Sequence, residues 1–278
     1  MARIARASLV CVGALLSVGC ADASAHDFWI EPSSYRPSVG ERVLIGLRIG
    51  HPSEAEPYAR NPSHIRAFFI RSPRGRFPVR GSSGHDPAGN VRIEEAGVHI
   101  LAYWSQPNAH EMAPGPFESY LEEEGLQGAL QERARRGEDN VPGREHFVRC
   151  AKSLLLAADG GSPGGHDEVL GLPLEIVPVT NPFTARPGKP YVARLLYEGK
   201  PLTGCQLSAT SVEEPRSVQT RHTDERGFVS IDATRSGAWI LDAVHIVRAV
   251  DESSVEWQSF WASLTFEIPP AAGDEAQP

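Results

Sequence analysis

Proline interrupts this chain about once in every twelve residues, and this spacing constrains the fold more than any other feature. The sequence contains 23 Pro and 26 Gly among 278 residues. Because proline breaks helix interiors and glycine favours turns, long helices are excluded. Hydrophobic residues make up 41% of the chain and charged residues 22%, so it can form a core. The pattern predicts a mainly β protein of short strands joined by turns.

The first twenty-five residues have the composition of an export signal. Two arginines precede an apolar stretch, Ala7 to Val18, which is shorter than the roughly 20 residues that span a bilayer. An A-x-A site would leave His26 as the mature N-terminus, whereas a lipobox-like sequence would leave a lipidated Cys20. The sequence therefore predicts a periplasmic or otherwise extracytoplasmic protein. It would be secreted, or a lipoprotein that contacts a membrane only through lipid on Cys20.

Alternation of apolar side chains predicts strands along most of the mature chain, for example over Arg42–Gly50 and Gly97–Trp104. Apolar residues in Phe117–Arg136 recur at near-helical spacing interrupted by glycine, which predicts one broken helix or two short ones. Within it, the acidic run Glu122–Glu124 is typical of a solvated helix face. The segment Arg144–Ala157 fits a strand or a helix equally well.

The spacing of predicted strands and turns changes at Asn181-Pro182-Phe183, which indicates a domain junction. Six or seven short strands follow within about ninety residues, which is the spacing of a β-sandwich. We therefore predict two β-sandwich-like domains with a short helical insertion. The predicted boundaries are 1–25 for the signal peptide, 26–178 for a β-rich domain with the insertion near 117–136, 179–268 for an Ig-like β-sandwich, and 269–278 for a disordered tail.

The net charge limits the classes of partner that the sequence allows, and the cysteine content bears on disulfide formation. With 27 Lys and Arg against 35 Asp and Glu, the net charge is −8, so we predict no nucleic-acid partner. Cleavage before His26 would leave Cys150 and Cys205 as the remaining cysteines. In an oxidising compartment they could form one disulfide or stay as separate buried thiols, and the sequence leaves both alternatives open.

His26 is the first candidate metal ligand. As an N-terminal residue it would offer an α-amine and an imidazole, whose nitrogens suit nickel, cobalt or copper. His245 in the strand GAWILDAVHIV is the second candidate, and His99 is the third. A strand histidine could equally be a hydrogen-bonded sheet residue, and lipidation at Cys20 would deny His26 its free amine. The remaining histidines that lie in polar loops, where we expect surface positions, are His51, His64, His85 and His222.

The second half of the chain carries a recurrent series of turn and strand motifs. Turn residues precede each strand, as in the small Ig-like or transthyretin-like sandwiches that this half resembles. The motifs are GKPL at 199–202, TDERGFVSI at 223–231 and GAWIL at 237–241. Taken alone they indicate a fold rather than an activity.

Both halves together contain a longer ordered set of motifs. They are AHDFWIEPSSYRPSVGE from Ala25, YLEEEGL from Tyr120, REHFVRCAKSLLL from Arg144, LPLEIVPVTNPF from Leu172 and WQSFWASLTFEI from Trp257. In this order they resemble the DUF4198 family of exported proteins, often described as NikM-like or as periplasmic components of cobalt and nickel uptake. The resemblance implies a β-rich protein that binds a transition metal and works with a membrane permease.

These features favour one function. The chain would bind a first-row transition metal (nickel, cobalt or copper) for uptake or handling outside the cytoplasm, with His26 giving two nitrogens and His245 a third. H-E-x-x-H, Walker A and G-x-G-x-x-G signatures are missing from the sequence, so we predict that it is not an enzyme. An oxidative metalloenzyme built on an N-terminal histidine would share the same metal site.

The alternative function is a non-enzymatic cell-envelope interaction or carbohydrate-binding β-sandwich. In that case the histidines are incidental and the aromatic residues near the end of the chain would stack on sugar rings. The same aromatic residues could instead fill the sandwich core. They are Trp239, Trp257, Phe260 and Trp261.

Overall fold

The computed structural model describes residues 27–157, 164–251 and 254–271. The predicted signal peptide, His26 and most of the predicted tail lie outside these ranges. The described strands are β1 (Phe28–Pro32), β2 (Arg42–Ile49), β3 (Glu56–Pro57), β4 (Ile65–Ser72), β5 (Gly75–Pro78), β6 (Gly89–Arg92), β7 (Gly97–Ser105), β8 (Asn108–Met112), β9 (Gly143–Ala157), β10 (Leu174–Pro178), β11 (Lys189–Tyr197), β12 (Lys200–Pro201), β13 (Gln206–Ser211), β14 (Val218–His222), β15 (Phe228–Ala233), β16 (Gly237–Arg248) and β17 (Trp257–Ile268). The helices are α1 (Pro114–Glu123) and α2 (Gln127–Arg136), and a 3-10 turn spans Pro62–His64. Within the described ranges, neither helix has the length and apolar character needed to cross a membrane.

A nine-stranded sheet forms the centre of the molecule. Its order is β14-β13-β16-β17-β9-β7-β4-β5, and β8 pairs with the first part of β9. All of these pairings are antiparallel except β17 with β9, which run parallel from Trp257 opposite Glu145 to Thr265 opposite Ser153. The sheet therefore contains strands from both sides of the predicted domain junction.

One face of the large sheet is covered by a small sheet of β10, β11, β12 and β15. Side chains alternate along β9, so Val148, Cys150 and Leu154 point towards this small sheet. They meet Leu195 of β11 and other apolar residues of both sheets in the first core. All these side chains are buried, so the two sheets pack as a sandwich.

The opposite face of the large sheet is covered by two separate layers. A sheet of β1, β2, β3 and β6 packs over β4, β7 and β9, and Ile30, Leu47 and Leu101 lie in this second core. The two helices pack over β16 and β17, and Leu121 and Trp261 lie in this third core. Polar groups occupy the strip between the two layers.

The structure confirms a mainly β, sandwich-like fold with a short helical insertion. Of the two alternatives for the insertion, two short helices form, and Gly125 between them has φ of +66°, a conformation that favours glycine. The ambiguous segment from Arg144 is a strand, β9. Because both of its faces are covered, its apolar residues run without alternation, which explains the ambiguity.

Cys150 and Cys205, the two cysteines within the described ranges, are free and buried. Cys150 lies on β9, and Cys205 directly precedes β13. Two strands, β17 and β16, separate β9 from β13, so the cysteines are about 14 Å apart across the sheet. A disulfide needs α-carbons within about 7 Å, so the alternative of separate buried thiols is the one that the fold adopts.

Candidate functional site

The structure places the three predicted metal ligands in different environments. His26 lies outside the described residues, next in sequence to Asp27, which is half-buried before β1. His245 lies on β16 and faces the small sheet, where its ring meets the ring of Tyr197 edge-on with centroids 4.6 Å apart. Burial lowers the pKa of His245, so its imidazole is neutral at pH 7.

His99 lies on β7 and is 2% exposed. Its Nδ1 is 3.1 Å from the carbonyl oxygen of Gly97. Burial is the main cause that lowers the pKa of His99, while the hydrogen bond from the ring to Gly97 and the charge of Glu95 oppose this shift. The imidazole is therefore held neutral, with Nδ1 donating to the carbonyl and Nε2 left as the acceptor.

The structure does not bring His99 and His245 together. His99 pairs with Leu155 of β9, whereas Phe260, the partner of His245, pairs with Val148. Seven residues of strand separate these two positions of β9, which is about 23 Å. The two histidines also lie on opposite faces of the sheet, so they cannot share one metal ion.

Three carboxyl groups instead lie close enough to affect one another's pKa beside the start of the described chain. They belong to Asp27, to Glu124 directly after α1, and to Asp242 on β16, and we call them the acidic seam. Burial raises the pKa of Asp242 well above its ordinary value, and the charges of Asp27 and Glu124 raise it further. The pKa of Glu124 rises to about 8, mainly through burial and then through Asp27 and Glu123.

Local structure explains why these carboxyl groups converge. Along β16, Asp242 and Val244 point to the same face, and Val244 lies in the third core beneath the helices. Gln206 Nε2 donates to the carbonyl oxygen of Glu123 at 2.8 Å, which holds the end of α1 against β13. Glu124 therefore lies at the negative end of a helix dipole, where another negative charge is unfavourable. The seam is a place where a cation would relieve repulsion.

A buried hydroxyl group adds a further polar atom beside the seam. Ser263 lies directly opposite Asp242 on β17 and is 3% exposed. Within the described ranges, its Oγ has no hydrogen-bond partner. On one side of it Trp261 packs under the helices, and on the other Thr265 donates to the carbonyl oxygen of Ile30. Ser263 therefore occupies the polar strip between the two layers.

A second buried acid lies farther along the same face. Glu145 is fully buried, and neither of its carboxyl oxygens has a hydrogen-bond partner among the described residues. Burial raises its pKa to about 7, and the nearby hydroxyls of Ser259 and Tyr120 offset part of that shift. Glu145 is consequently a group that can change its protonation near neutral pH.

Arg149, near Phe28 at the start of the described chain, lies among aromatic rings. Arg149 is 5% exposed, and its guanidinium carbon is 5.0 Å above the ring centre of Phe28 and 5.5 Å above that of Tyr58. The Tyr58 hydroxyl is 2.6 Å from Nδ1 of His64. His64 is therefore half-buried, not the surface residue that its polar loop suggested.

Sequence reasoning missed most of the acidic seam. Glu124 belonged to a run that is typical of a solvated face, yet the turn at Gly125 directs this last carboxyl inward. Asp242 could have been noticed, because a lone acid within the apolar strand GAWILDAVHIV needs a partner when buried. Among residues 27–157, 164–251 and 254–271, no group of three or more His, Cys, Asp or Glu side chains is arranged to hold a metal ion.

The late aromatic residues lie in the cores. Trp239 and Trp257 are each 2% exposed, Phe260 is 5% exposed and Trp261 is 6% exposed. Trp261 stacks on Tyr120 of α1 with centroids 5.5 Å apart. Because buried rings cannot stack on a sugar, these four residues fill the interior of the protein.

Comparison with solved structures gives distant similarities, and two of them are as follows. The chain is 11% identical to "D0-D1 domain of Intimin", with 86% of this chain and 97% of that chain covered at a TM-score of 0.20. It is also 11% identical to a structure titled "Crystal structure of tetra-tandem repeat in extending region of large adhesion protein", with 87% and 49% covered at a TM-score of 0.19. These values are too low to support an argument about function.

Comparison with protein families gives a clear assignment. No curated protein matches the chain. The family described as "Domain of unknown function (DUF4198)" matches residues 23–247, which include all three carboxyl groups of the acidic seam as well as His26, His99 and His245. This match extends over more than half of the sequence, and the chain therefore belongs to the DUF4198 family.

Proposed function

We propose that this protein binds one first-row transition-metal ion, nickel, cobalt or copper, and handles it outside the cytoplasm. The proposed ligands of the ion are His26 and the acidic seam of Asp27, Glu124 and Asp242. The α-amine and imidazole of His26 supply nitrogen ligands, and carboxylates of the seam supply oxygen ligands. Mixed nitrogen and oxygen ligands suit nickel and copper in their divalent states.

The observation that carries the proposal is the placement of Asp27 and Glu124 close enough to Asp242 to affect its pKa. Asp242 has a strongly raised pKa, and both Asp27 and Glu124 contribute to the shift. Burying like charges together is unfavourable unless a proton or a cation neutralises them. A divalent ion would remove this cost and would be the largest charge in the site.

His26 is the proposed nitrogen donor because the side chains of the three seam residues offer only carboxyl oxygens. It directly precedes Asp27 in sequence, and we propose that it supplies the nitrogen ligands of the site. Cleavage after Ala25 would free its α-amine, whose ordinary pKa near 8 allows a metal ion to displace the proton. The proposed function therefore requires export, because removal of the signal peptide frees the α-amine of His26.

The proposal replaces two of the ligands expected from the sequence. His245 faces the small sheet on the opposite side of the large sheet, and His99 lies about 23 Å farther along. Neither contributes to the seam. The carboxyl groups of Glu124 and Asp242 take their places, and delivery to a membrane permease remains the role that the family resemblance suggests.

The test is metal binding to protein exported through its own signal peptide. Intact mass first confirms that the chain begins at His26, and calorimetry then measures affinity for nickel, cobalt and copper ions. We expect one ion per chain and a loss of affinity of about tenfold or more in His26→Ala and in Asp242→Asn. His51→Ala, which changes an exposed loop histidine, is the matched control and should bind normally.

Two outcomes would overturn the proposal. One is a chain that begins at His26 and binds none of the three ions. The other is unchanged affinity in both His26→Ala and Asp242→Asn. Loss of folding cannot explain weaker binding by Asp242→Asn, because the neutral amide removes repulsion, and thermal unfolding without metal should occur at the same or a higher temperature.

A further inference from the structure

A cavity at the open edge of the second sandwich contains His99, which the metal site does not use. It has a volume of about 350 Å³ and lies where the β4–β5 hairpin meets the edge strand β6. Volumes of a few hundred Å³ are typical of sites for small molecules. The polar groups of this cavity are divided into an accepting set and a cationic set.

The accepting set consists of Glu95 and His99. Glu95 Oε1 accepts hydrogen bonds from Ser72 Oγ at 2.9 Å and from the backbone nitrogen of Arg74 at 3.0 Å, which fixes the carboxylate in place. Oε2 takes no hydrogen bond from the part of the chain that the structure describes. His99 donates from Nδ1 to Gly97, so its Nε2 is also an acceptor. An ammonium group, which has several N–H donors, can donate to both acceptors.

The cationic set consists of Arg80 and Arg92. Within the described ranges neither guanidinium forms an ion pair, whereas neighbouring Arg74 pairs with Glu94 at 3.0 Å. Arg92 also stands directly opposite Arg42 in the β2–β6 pair. Like charges at directly opposite positions are unfavourable, and a bound carboxylate would relieve this repulsion. Guanidinium groups are well suited to hold a carboxylate through two hydrogen bonds.

Apolar side chains also line the cavity. Ile70 and Val91 are buried in it, while Phe77 is 47% exposed at the rim. The Phe77 ring is one of the residues that line the cavity, so it can contact an apolar part of a bound molecule. The ligand would therefore carry a compact apolar part in addition to its two charged ends.

We propose that this cavity binds a free α-amino acid with an apolar side chain. Arg80 and Arg92 hold its carboxylate, Glu95 and His99 accept hydrogen bonds from its ammonium group, and Phe77 covers its side chain. The site is separate from the acidic seam, and it needs neither His26 nor a metal ion.

Calorimetry with three matched probes tests both charged ends at once. The probes are L-leucine, 4-methylpentanoate, which lacks the ammonium group, and 3-methylbutylamine, which lacks the carboxylate. We expect L-leucine to bind and each single-ended probe to bind about tenfold or more weakly, because each leaves part of the site unpaired. Binding of either single-ended probe as tightly as L-leucine would overturn the proposal, as would no binding of L-leucine at millimolar concentration.

Substitutions of residues that line the cavity test whether L-leucine binds there. Arg92→Gln changes an exposed side chain and should weaken L-leucine binding about tenfold, as should Glu95→Gln. Arg135→Gln on α2 removes a similarly exposed arginine away from the cavity and is the control, which should bind normally. Unchanged affinity in Arg92→Gln and Glu95→Gln would overturn the assignment, since the two variants remove one charge from the cationic set and one from the accepting set.

Discussion

Lys152 Nζ lies 2.8 Å from Glu175 Oε1, and both side chains are 1% exposed. The pair joins β9 of the large sheet to β10 of the small sheet beneath the first core. Glu175 also accepts hydrogen bonds from the backbone nitrogens of residues 170, 171 and 172. One buried carboxylate thus neutralises a lysine and holds the loop that leads into β10.

Removing this carboxylate should strongly destabilise the protein. In Glu175→Ala, Lys152 keeps a buried charge without a partner, and we expect the free energy of unfolding to fall by about 3–5 kcal/mol. Urea denaturation measures this change. Glu267→Gln breaks the half-exposed ion pair with Arg36 and should cost no more than about 1 kcal/mol. Equal losses in the two variants would contradict a special role for the buried pair.

The carboxyl group of Glu145 should make the protein less stable as the pH rises. Burial is the main cause that raises its pKa from 4.5 to about 7 in the folded state. Between these values the folded chain keeps a proton that the unfolded chain has lost. Stability therefore falls with rising pH across this window, by up to about 1.4 kcal/mol per pH unit.

Urea midpoints measured from about pH 5 to pH 7 test this dependence. Glu145→Gln should reduce the fall in stability, while Glu122→Gln, at an exposed position of α1, should leave it as in the parent chain. The seam acids also have raised pKa values, so some of the fall should remain in Glu145→Gln. A fall of the parent size in Glu145→Gln would contradict the prediction.

The sequence predicted individual strands better than it predicted which strands pair with one another. Alternating residues in Arg42–Gly50 and Gly97–Trp104 identified β2 and β7 nearly to their ends, because alternation reports which face is buried. It does not report which strand lies alongside, so the parallel pairing of β9 with β17 could not be read from the pattern. That pairing is what joins the two halves in one sheet.

The candidate site also combines a local sequence signal with contacts between residues far apart in sequence. His26 was notable from its position next to a cleavage site, a purely local signal. The seam depends on Glu124 and Asp242, which are more than a hundred residues apart and meet only because α1 ends over β16. Their pKa values depend on burial and on each other, and neither cause is local in sequence. Periodicity and motifs therefore could not supply this set of ligands.

Metal binding at the acidic seam should weaken as the pH falls. The pKa of Glu124 is raised to about 8, so this group holds a proton at neutral pH, and that of Asp242 is raised well above its ordinary value. A metal ion must displace bound protons, and the displacement becomes harder in acid. We expect affinity to fall by about tenfold for each proton displaced per pH unit below about pH 8.

Titration calorimetry in buffers of different ionisation enthalpy counts the protons released. Glu124→Gln should release fewer protons than the parent chain, and its affinity should depend less on pH. His51→Ala again gives the reference for loss of a histidine away from the site. Affinity that does not change between about pH 6 and pH 8 would contradict a site built from protonated carboxyl groups.

Cys150 and Cys205 should be unreactive thiols in the folded protein. Burial raises the pKa of each to about 12, so almost no thiolate, the reactive form, exists at neutral pH. The Sγ of Cys205 also donates to the carbonyl oxygen of Val244 at 3.3 Å. For the chain that begins at His26, Ellman's reagent should label neither cysteine in native buffer and both in guanidinium. Intact mass without reductant should show two free thiols, and rapid labelling of the native protein or a mass lower by two hydrogens would contradict the two buried, separate positions.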